Sequence, residues 1–203
     1  MKTFCVSILL TLGSLGIVQA GPIFTQCPPT GLNTGCEFLV SLNPNNTISI
    51  AMDPNIPNNG PYGGSDDTLV GVQNNSALTL KSLLVSSSLA IFAFDGDGPC
   101  TQTPGPTNCS SDPSGYAGPN ISFSNINAAK TAGTVNFNPG LAPGASGYFA
   151  LEEALQTAQL SVTVGSTVVP EPASIALLSP GLLFLAGLAF RRGRKQAGYS
   201  LNG

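Results

Sequence analysis

The sequence has no histidine and no tryptophan, and only 8% of its residues are charged. Without histidine, a catalytic triad with a histidine base and a histidine-ligated metal site are both excluded. The phosphate-binding patterns GxxxxGKS/T and GxGxxG are also missing, so no nucleotide site is indicated. These absences predict a protein that is not an enzyme and has no cofactor.

Basic residues are scarce in the central part of the chain. The sequence has seven basic and ten acidic residues, and Lys81 and Lys130 are the only basic ones between positions 3 and 190. An acidic domain of this kind lacks the positive surface that binds nucleic acid or anionic lipid. The composition therefore predicts no nucleic-acid partner.

An apolar run near the C-terminus predicts a membrane span. Residues 173–190 are uncharged, and at about 1.5 Å per residue a helix of this length reaches roughly 27 Å, which just crosses a hydrocarbon core. A basic cluster follows the run, and it predicts that the preceding part of the chain lies outside the cytoplasm. This cluster consists of Arg191, Arg192, Arg194 and Lys195. An extended linker precedes the run and consists of Val169, Pro170, Glu171 and Pro172.

The order Pro-Glu-Pro, apolar span, basic cluster resembles the PEP-CTERM sorting signal of Gram-negative bacteria that make exopolysaccharide. Three turn motifs also resemble the exported part of such proteins: NNS at 74–76, FDGDG at 94–98 and LAPG at 141–144. The resemblance implies processing near Glu171 by exosortase, a membrane transpeptidase, after anchoring in the inner membrane. It further implies delivery to the cell surface or extracellular matrix, with exopolysaccharide as a partner. The alternative is a plain membrane anchor with a fortuitous Pro-Glu-Pro.

The N-terminus agrees with export. Lys2 precedes an apolar stretch at 4–18, and the small residue Ala20 marks a cleavage position before Gly21. A second transmembrane helix is the alternative, but the stretch is short and is soon followed by Gly21 and Pro22. The predicted organisation is a signal peptide at 1–20, an exported domain at 21–168, a sorting signal at 169–195 and a cytoplasmic tail at 196–203.

Four cysteines remain in the exported domain, and an even number in an exported chain indicates disulfides. They are Cys27, Cys36, Cys100 and Cys109. Three pairings are possible, and the matched separation of nine residues favours the local pairs 27–36 and 100–109 as a hypothesis. Metal ligation is the alternative, but the spacing does not fit paired CxxC ligands.

Alternating apolar and polar residues between turn signals predict short strands. Ile48, Ile50 and Met52 share one face, for example, with polar or small residues between them. The expected strands are 37–42, 47–52, 68–73, 78–85, 89–94, 121–125, 134–138, 146–152 and 160–168. The stretch 151–159 has helical composition but is interpreted as a strand end and a turn. The predicted fold is an all-β, antiparallel, immunoglobulin-like sandwich followed by one transmembrane helix.

Asp95 and Asp97 flank Gly96, as in the start of a calcium loop. Gly98 and Pro99 break that pattern, so the two acids are weak calcium candidates and a solvated turn is the favoured interpretation. If successive strands alternate in direction, the 53–67 loop and the Asp95 loop lie at opposite ends of the domain. The sequence therefore predicts that Asp53, Asp66 and Asp67 do not share a calcium site with Asp95.

Two functions of different classes follow from the sequence. The first is a non-enzymatic surface or matrix protein that is sorted through its C-terminal signal. The second is an adhesive or carbohydrate-binding surface module, assisted by calcium, whose site lies in the 53–67 or 95–120 loop. Tyr62 and Tyr116 could stack on sugars there, although packing within the loops is the favoured interpretation.

Overall fold

A computed structural model describes residues 23–55, 62 and 66–169 of the chain. Eight strands account for most of its regular structure, with two short 3₁₀ turns at Pro99–Thr101 and Thr157–Gln159. The strands are β1 (Phe38–Leu42), β2 (Ile48–Met52), β3 (Thr68–Asn74), β4 (Thr79–Ser86), β5 (Ile121–Ser124), β6 (Ala132–Leu141), β7 (Ser146–Leu151) and β8 (Ser161–Val168). The prediction of an all-β domain is confirmed.

The strands form two four-stranded sheets. The first has the order β2-β1-β3-β7 and the second has the order β5-β6-β4-β8. All pairs are antiparallel except β1–β3, in which Phe38 lies opposite Val70 and both strands run in the same direction. The parallel pair departs from the wholly antiparallel arrangement that the sequence predicts. It arises because the chain crosses from the end of β2 to the start of β3 instead of making a hairpin.

The hydrophobic core lies between the two sheets. Val40 and Val72 from the first sheet and Leu83 and Val135 from the second are all fully buried in one cluster. The predicted alternation in β2 is confirmed, because Ile48, Ile50 and Met52 pack against this cluster from the edge. Two sheets that share one apolar interior are the arrangement of a β-sandwich.

Strand β3 is buried on both of its faces. Val70 and Val72 point into the core between the sheets, whereas Leu69 belongs to a second apolar cluster on the outer side of the first sheet. The N-terminal disulfide loop and the long loop after β4 cover this side, and their contributions include Cys36 and Tyr116. The near-continuous apolar sequence of β3 follows from this double burial.

Gly71 is the point at which β3 and the disulfide loop approach most closely. A Cβ atom at this position would lie 2.5 Å from Cys36 Sγ and 3.1 Å from Gln26 Cβ. We expect Gly71→Ala to lower the free energy of unfolding by about 1–3 kcal/mol, because the disulfide loop must move away from the sheet. Chemical denaturation of the full-length oxidised protein in detergent measures the change.

Gly147 provides the matched control for this substitution. It lies on β7 directly opposite Val72, and an added Cβ would meet nothing closer than Ile121 Cδ1 at 3.4 Å. Gly147→Ala should therefore leave the stability unchanged or slightly raised. Equal losses in the two variants would contradict the close approach at Gly71.

The chain passes from the first sheet to the second at Asn74. The side chain of Asn74 is fully buried, and its Nδ2 donates to the carbonyl oxygens of Leu78 at 2.7 Å and Leu141 at 2.8 Å. Its Oδ1 accepts from the Ser76 backbone N–H and hydroxyl. Gly144 N–H also donates to the Asn74 carbonyl at 2.7 Å. The NNS and LAPG turns, distant in sequence, thus form one corner of the sandwich.

The predicted strand at 89–94 is wrong. Ile91 and Phe92 form a turn there, and both side chains are buried although they are adjacent. A strand with one exposed face cannot bury two consecutive side chains. The backbone bonds of this stretch instead reach distant loops: Ile91 accepts from Glu152 N–H, and Phe92 N–H donates to the Lys130 carbonyl.

Strand β6 (Ala132–Leu141) is longer than the predicted strand at 134–138 and continues through Pro139 and Gly140. Leu80 of β4 lies opposite Leu141 and Ser82 lies opposite Asn136, so residues 137–140 bulge opposite Lys81. A bulge tolerates Pro139, which has no N–H to give to the ladder. The stretch 151–159 contains only a strand end and a 3₁₀ turn, as predicted.

Several predicted segments lie outside the described residues. These are the signal peptide and its cleavage position at Ala20 and Gly21, the motif residues Pro170, Glu171 and Pro172, the span at 173–190, and the basic cluster. Within 23–55, 62 and 66–169, no helix has the length and apolar character needed to cross a bilayer.

Candidate cation site

Two acidic residues from different parts of the chain meet where β3 begins and β7 ends. Thr68 pairs with Leu151 across these antiparallel strands. Asp67 immediately precedes Thr68, and Glu152 immediately follows Leu151. Their positions at the same end of neighbouring strands bring the two carboxylates together.

The long loop after β4 adds two more carboxylates at this end. Glu152 N–H donates to the Ile91 carbonyl at 3.1 Å, which holds the loop against the end of β7 shortly before Asp95 and Asp97. A bond from Asp97 N–H to Asp95 Oδ1, at 3.2 Å, fixes the turn between the two acids. Gln102 Nε2 donates to the Asp97 carbonyl at 2.7 Å and holds the loop from the other side.

Tyr116 lies at the centre of this group. Its carbonyl accepts from Ala150 N–H at 2.8 Å, and its ring stacks on Phe94 with centroids 4.5 Å apart. The Tyr116 hydroxyl lies 2.6 Å from Asp97 Oδ1, 3.2 Å from Asp67 Oδ1 and 3.3 Å from Asp95 Oδ1. One hydroxyl proton can be donated to only one of these three oxygens at a time.

Asp67, Asp97 and Glu152 each offer a carboxylate oxygen, and these three oxygens lie within 4.8 Å of one another. Asp67 is 1% exposed and Glu152 is 8% exposed. Asp67 Oδ2 and Glu152 Oε2 have no hydrogen-bond partner among the residues that the structure describes. Buried carboxylate oxygens of this kind are costly unless a proton or a cation compensates them.

The electrostatics of the group reflect this crowding. Burial, together with the negative charges of Asp97 and Glu152, raises the pKa of Asp67 to about 8. Burial also raises the pKa of Glu152, and burial and the hydrogen bond to Asp97 raise the pKa of the Tyr116 hydroxyl. Neither of the two lysines that the structure describes is among the causes of these shifts. Within the described residues, the group thus concentrates negative charge without a cation to balance it.

The structure corrects the prediction that the Asp95 loop and Asp67 lie at opposite ends of the domain. That prediction counted 89–94 as a strand. Because this stretch is a turn, the chain makes one pass fewer and returns to the end at which Asp67 lies. Asp53 is separate from the group: its Oδ2 accepts from Ile23 N–H at 2.7 Å and its Oδ1 from Asn55 N–H at 2.9 Å. Asp53 therefore attaches the N-terminal segment to the first sheet.

Glu152 is the member of the group that the sequence does not single out as a site residue, and Tyr116 is considered there only for stacking on sugars. The sequence places Glu152 at the end of a predicted strand, and a pairing of 68 with 151 would locate it beside Asp67. Tyr62 and Tyr116 are buried, which confirms the interpretation that they pack within the loops.

The predicted local cysteine pairs are also present. Cys27 and Cys36 lie at bonding distance with Cα atoms 5.0 Å apart, and Cys100 and Cys109 do so with Cα atoms 5.9 Å apart. The first disulfide belongs to the outer cluster that covers β3. The second closes part of the loop that holds Asp97 and Tyr116, and so restricts the surroundings of the carboxylates.

Chemically, the group is a set of hard oxygen donors. Such donors suit a divalent cation, and calcium in particular accepts several carboxylates at once. No family model matches this sequence, and comparisons with curated proteins and with solved structures gave no match either.

Proposed function

We propose that this chain is an exported, non-enzymatic protein of the cell surface or extracellular matrix. In this proposal an exosortase cuts the chain near Glu171, after the span at 173–190 has anchored it in the inner membrane of a Gram-negative bacterium. The observation that carries the proposal is a disulfide-bonded β-domain that ends directly before the Pro-Glu-Pro linker. Exopolysaccharide is the proposed partner at the surface.

The two disulfides support export. The first pair belongs to the apolar cluster on the outer side of the first sheet, and the second closes a short loop between β4 and β5. Disulfides of this kind form and persist in oxidising compartments and are rare in the cytoplasm. A domain whose central strand is covered by a disulfide-bonded loop is suited to a location outside the inner membrane.

The end of the described domain supports access of a processing enzyme to the linker. Within the described residues, β8 is an edge strand of the second sheet and pairs with β4. Val168 is 46% exposed and Val169 is 74% exposed, so the chain leaves the domain at its surface. Pro170 and Pro172 cannot extend a ladder, and they separate the domain from the residues that follow.

Glu171→Ala is expected to abolish most of the C-terminal processing, because it removes the only charged residue of the motif. The measurement is the intact mass of protein extracted from the surface of an exosortase-bearing host. Wild-type protein should lack the apolar run and residues 191–203, and the variant should retain them.

Glu153→Ala serves as the control, because it removes an acid that lies within the domain and outside the motif. It should be processed like the wild type. Retention of residues 191–203 in the wild-type protein would show that the segment is only an anchor, and normal processing of Glu171→Ala would show that the motif residue is not recognised.

A further inference from the structure

We propose that Asp67, Asp97 and Glu152 bind one calcium ion, with Asp95 at the solvent-facing side of the same site. The site joins three segments: the start of β3, the loop after β4 and the end of β7. The proposal uses only the carboxylates of the domain itself and is independent of the sorting proposal.

The separations of the three carboxylate oxygens suit calcium. The three carboxylate oxygens lie within 4.8 Å of one another. Oxygen ligands surround calcium at about 2.3–2.6 Å, so two of them can be up to roughly 5 Å apart. Magnesium binds oxygen at about 2.0–2.1 Å, which limits that separation to roughly 4.2 Å, and it also keeps more of its water. Even if all three separations were 4.8 Å, the oxygens would lie about 2.8 Å from their common centre, so calcium needs a shift of only a few tenths of an ångström, whereas magnesium needs a larger one.

The buried oxygen Oδ2 of Asp67 also points to a ligand. This side chain is only 1% exposed, and its Oδ2 makes no hydrogen bond of normal geometry within the described residues. The Tyr62 hydroxyl, which interacts with this carboxylate, makes none either. Glu152 Oε2 is in the same condition. Buried polar atoms in folded proteins nearly always have a partner, and two orphaned carboxylate oxygens within one group point to a ligand that both can bind.

Positive charge is scarce around the three carboxylates. Lys81 and Lys130 are the only cationic side chains in the described part of the chain. Lys81 donates to the Pro139 carbonyl at the bulge of β6, and neither lysine is among the causes of the pKa shifts of Asp67 and Glu152. A bound divalent cation would supply the positive charge that the protein itself does not place among these carboxylates.

The remaining surroundings fit a hard cation. The ligand atoms are all oxygens, and the cysteines of the domain are bound in disulfides, so no soft donor competes for a transition metal. Asp95 is exposed and lies near the same Tyr116 hydroxyl as Asp67 and Asp97. Water completes the coordination from this open side, since calcium takes six to eight oxygens.

The test is calcium binding by the full-length, oxidised protein in detergent, after treatment with EDTA. Titration calorimetry should show one calcium ion per chain, and circular dichroism should show a rise of several degrees in the melting temperature. Magnesium at the same concentration should give a smaller rise. Absence of calcium binding at millimolar concentration would overturn the site, and an equal or larger response to magnesium would overturn its assignment to calcium.

Glu152→Gln distinguishes a calcium ligand from a residue that only supports the fold, because its effect on the melting temperature should change sign between EDTA and calcium. In EDTA the variant should be as stable as the wild type or more so, since one of the crowded charges is gone. In calcium it should melt at a lower temperature than the wild type and bind at least tenfold more weakly. A structural role alone would lower the melting temperature in both conditions, and that result would overturn the proposal.

Glu153→Gln is the matched control. It makes the same chemical change at the neighbouring position, outside the group of three, and should bind calcium like the wild type. Asp97→Asn is a second ligand variant. Asp97 is half-buried, so its substitution should disturb the folding of the protein less than substitution of a buried ligand. Calcium affinity that is unchanged in both Glu152→Gln and Asp97→Asn would assign the binding elsewhere.

Discussion

Asn74→Ala is expected to lower the free energy of unfolding by roughly 3–5 kcal/mol, because several buried hydrogen-bonding groups lose their partner at once. The amide donates to the carbonyls of Leu78 and Leu141 and accepts two bonds from Ser76. Alanine can replace none of these bonds. The Leu141 carbonyl is the most costly loss, since its bond to Asn74 is buried.

Denaturant unfolding of the full-length oxidised protein in detergent measures this change. Asn75→Ala is the matched control, because it removes the same amide one position later, where the side chain is exposed. That variant should remain within about 0.5 kcal/mol of the wild type. Similar stabilities of the two variants would show that the corner does not depend on the Asn74 side chain.

Stability in EDTA should fall as the pH rises from 4.5 towards 8, and Glu37 should account for a large part of the fall. Glu37 is 2% exposed, and its Oε2 accepts from Leu69 N–H at 3.0 Å. Burial raises the pKa of Glu37 from 4.5 to about 8, against the opposing effect of that hydrogen bond. The negative charge of Asp67 raises it further.

The sign follows from the two protonation states. Below pH 4.5 the carboxyl is neutral in the folded and the unfolded chain, so the stabilising contribution of the neutral form is fully present. Between pH 4.5 and about 8 the unfolded chain ionises while the folded chain stays neutral. Each pH unit in this window costs up to about 1.4 kcal/mol, and the full window costs on the order of 4 kcal/mol.

Glu37→Gln tests the assignment, because an amide stays neutral and its oxygen can still accept from Leu69. The variant should match the wild type near the lower end of the window and exceed its stability by a few kcal/mol at the upper end. If the unfolding free energies of the two proteins differ by the same amount at every pH in the window, Glu37 does not cause the fall in stability. Glu153→Gln, at a partly exposed position, should not flatten the pH profile in this way.

Local sequence patterns predicted most of the strands because most of them, unlike β3, have one face towards solvent. The alternation in 160–168 is an example: Leu160 and Val162 are buried, whereas Ser161 and Thr163 are exposed. The cysteine pairs were also predictable from local sequence, since each joins two cysteines nine positions apart. The prediction of a strand at 89–94 was wrong because Ile91 and Phe92 are both buried by tertiary packing. Such packing cannot be read from a local sequence pattern.

The candidate site was less predictable than the fold. Asp95 and Asp97 stood out because of their short spacing, but Asp67 and Glu152 join them only through the register of β3 and β7. The absence of a strand at 89–94 changed which loops share an end of the domain. One wrongly predicted strand therefore placed carboxylates at opposite ends of the domain that lie together in the fold.

The edge position of β8 also determines how the domain responds to mechanical force. Tension on the chain beyond Val169 enters through β8, whose backbone pairing in the described part of the chain is the ladder to β4. That ladder is irregular near its loaded end, with register shifts between Leu80 and Leu83. Neither disulfide crosses it. In a domain tethered by its C-terminus, we therefore expect β8 to detach first under tension.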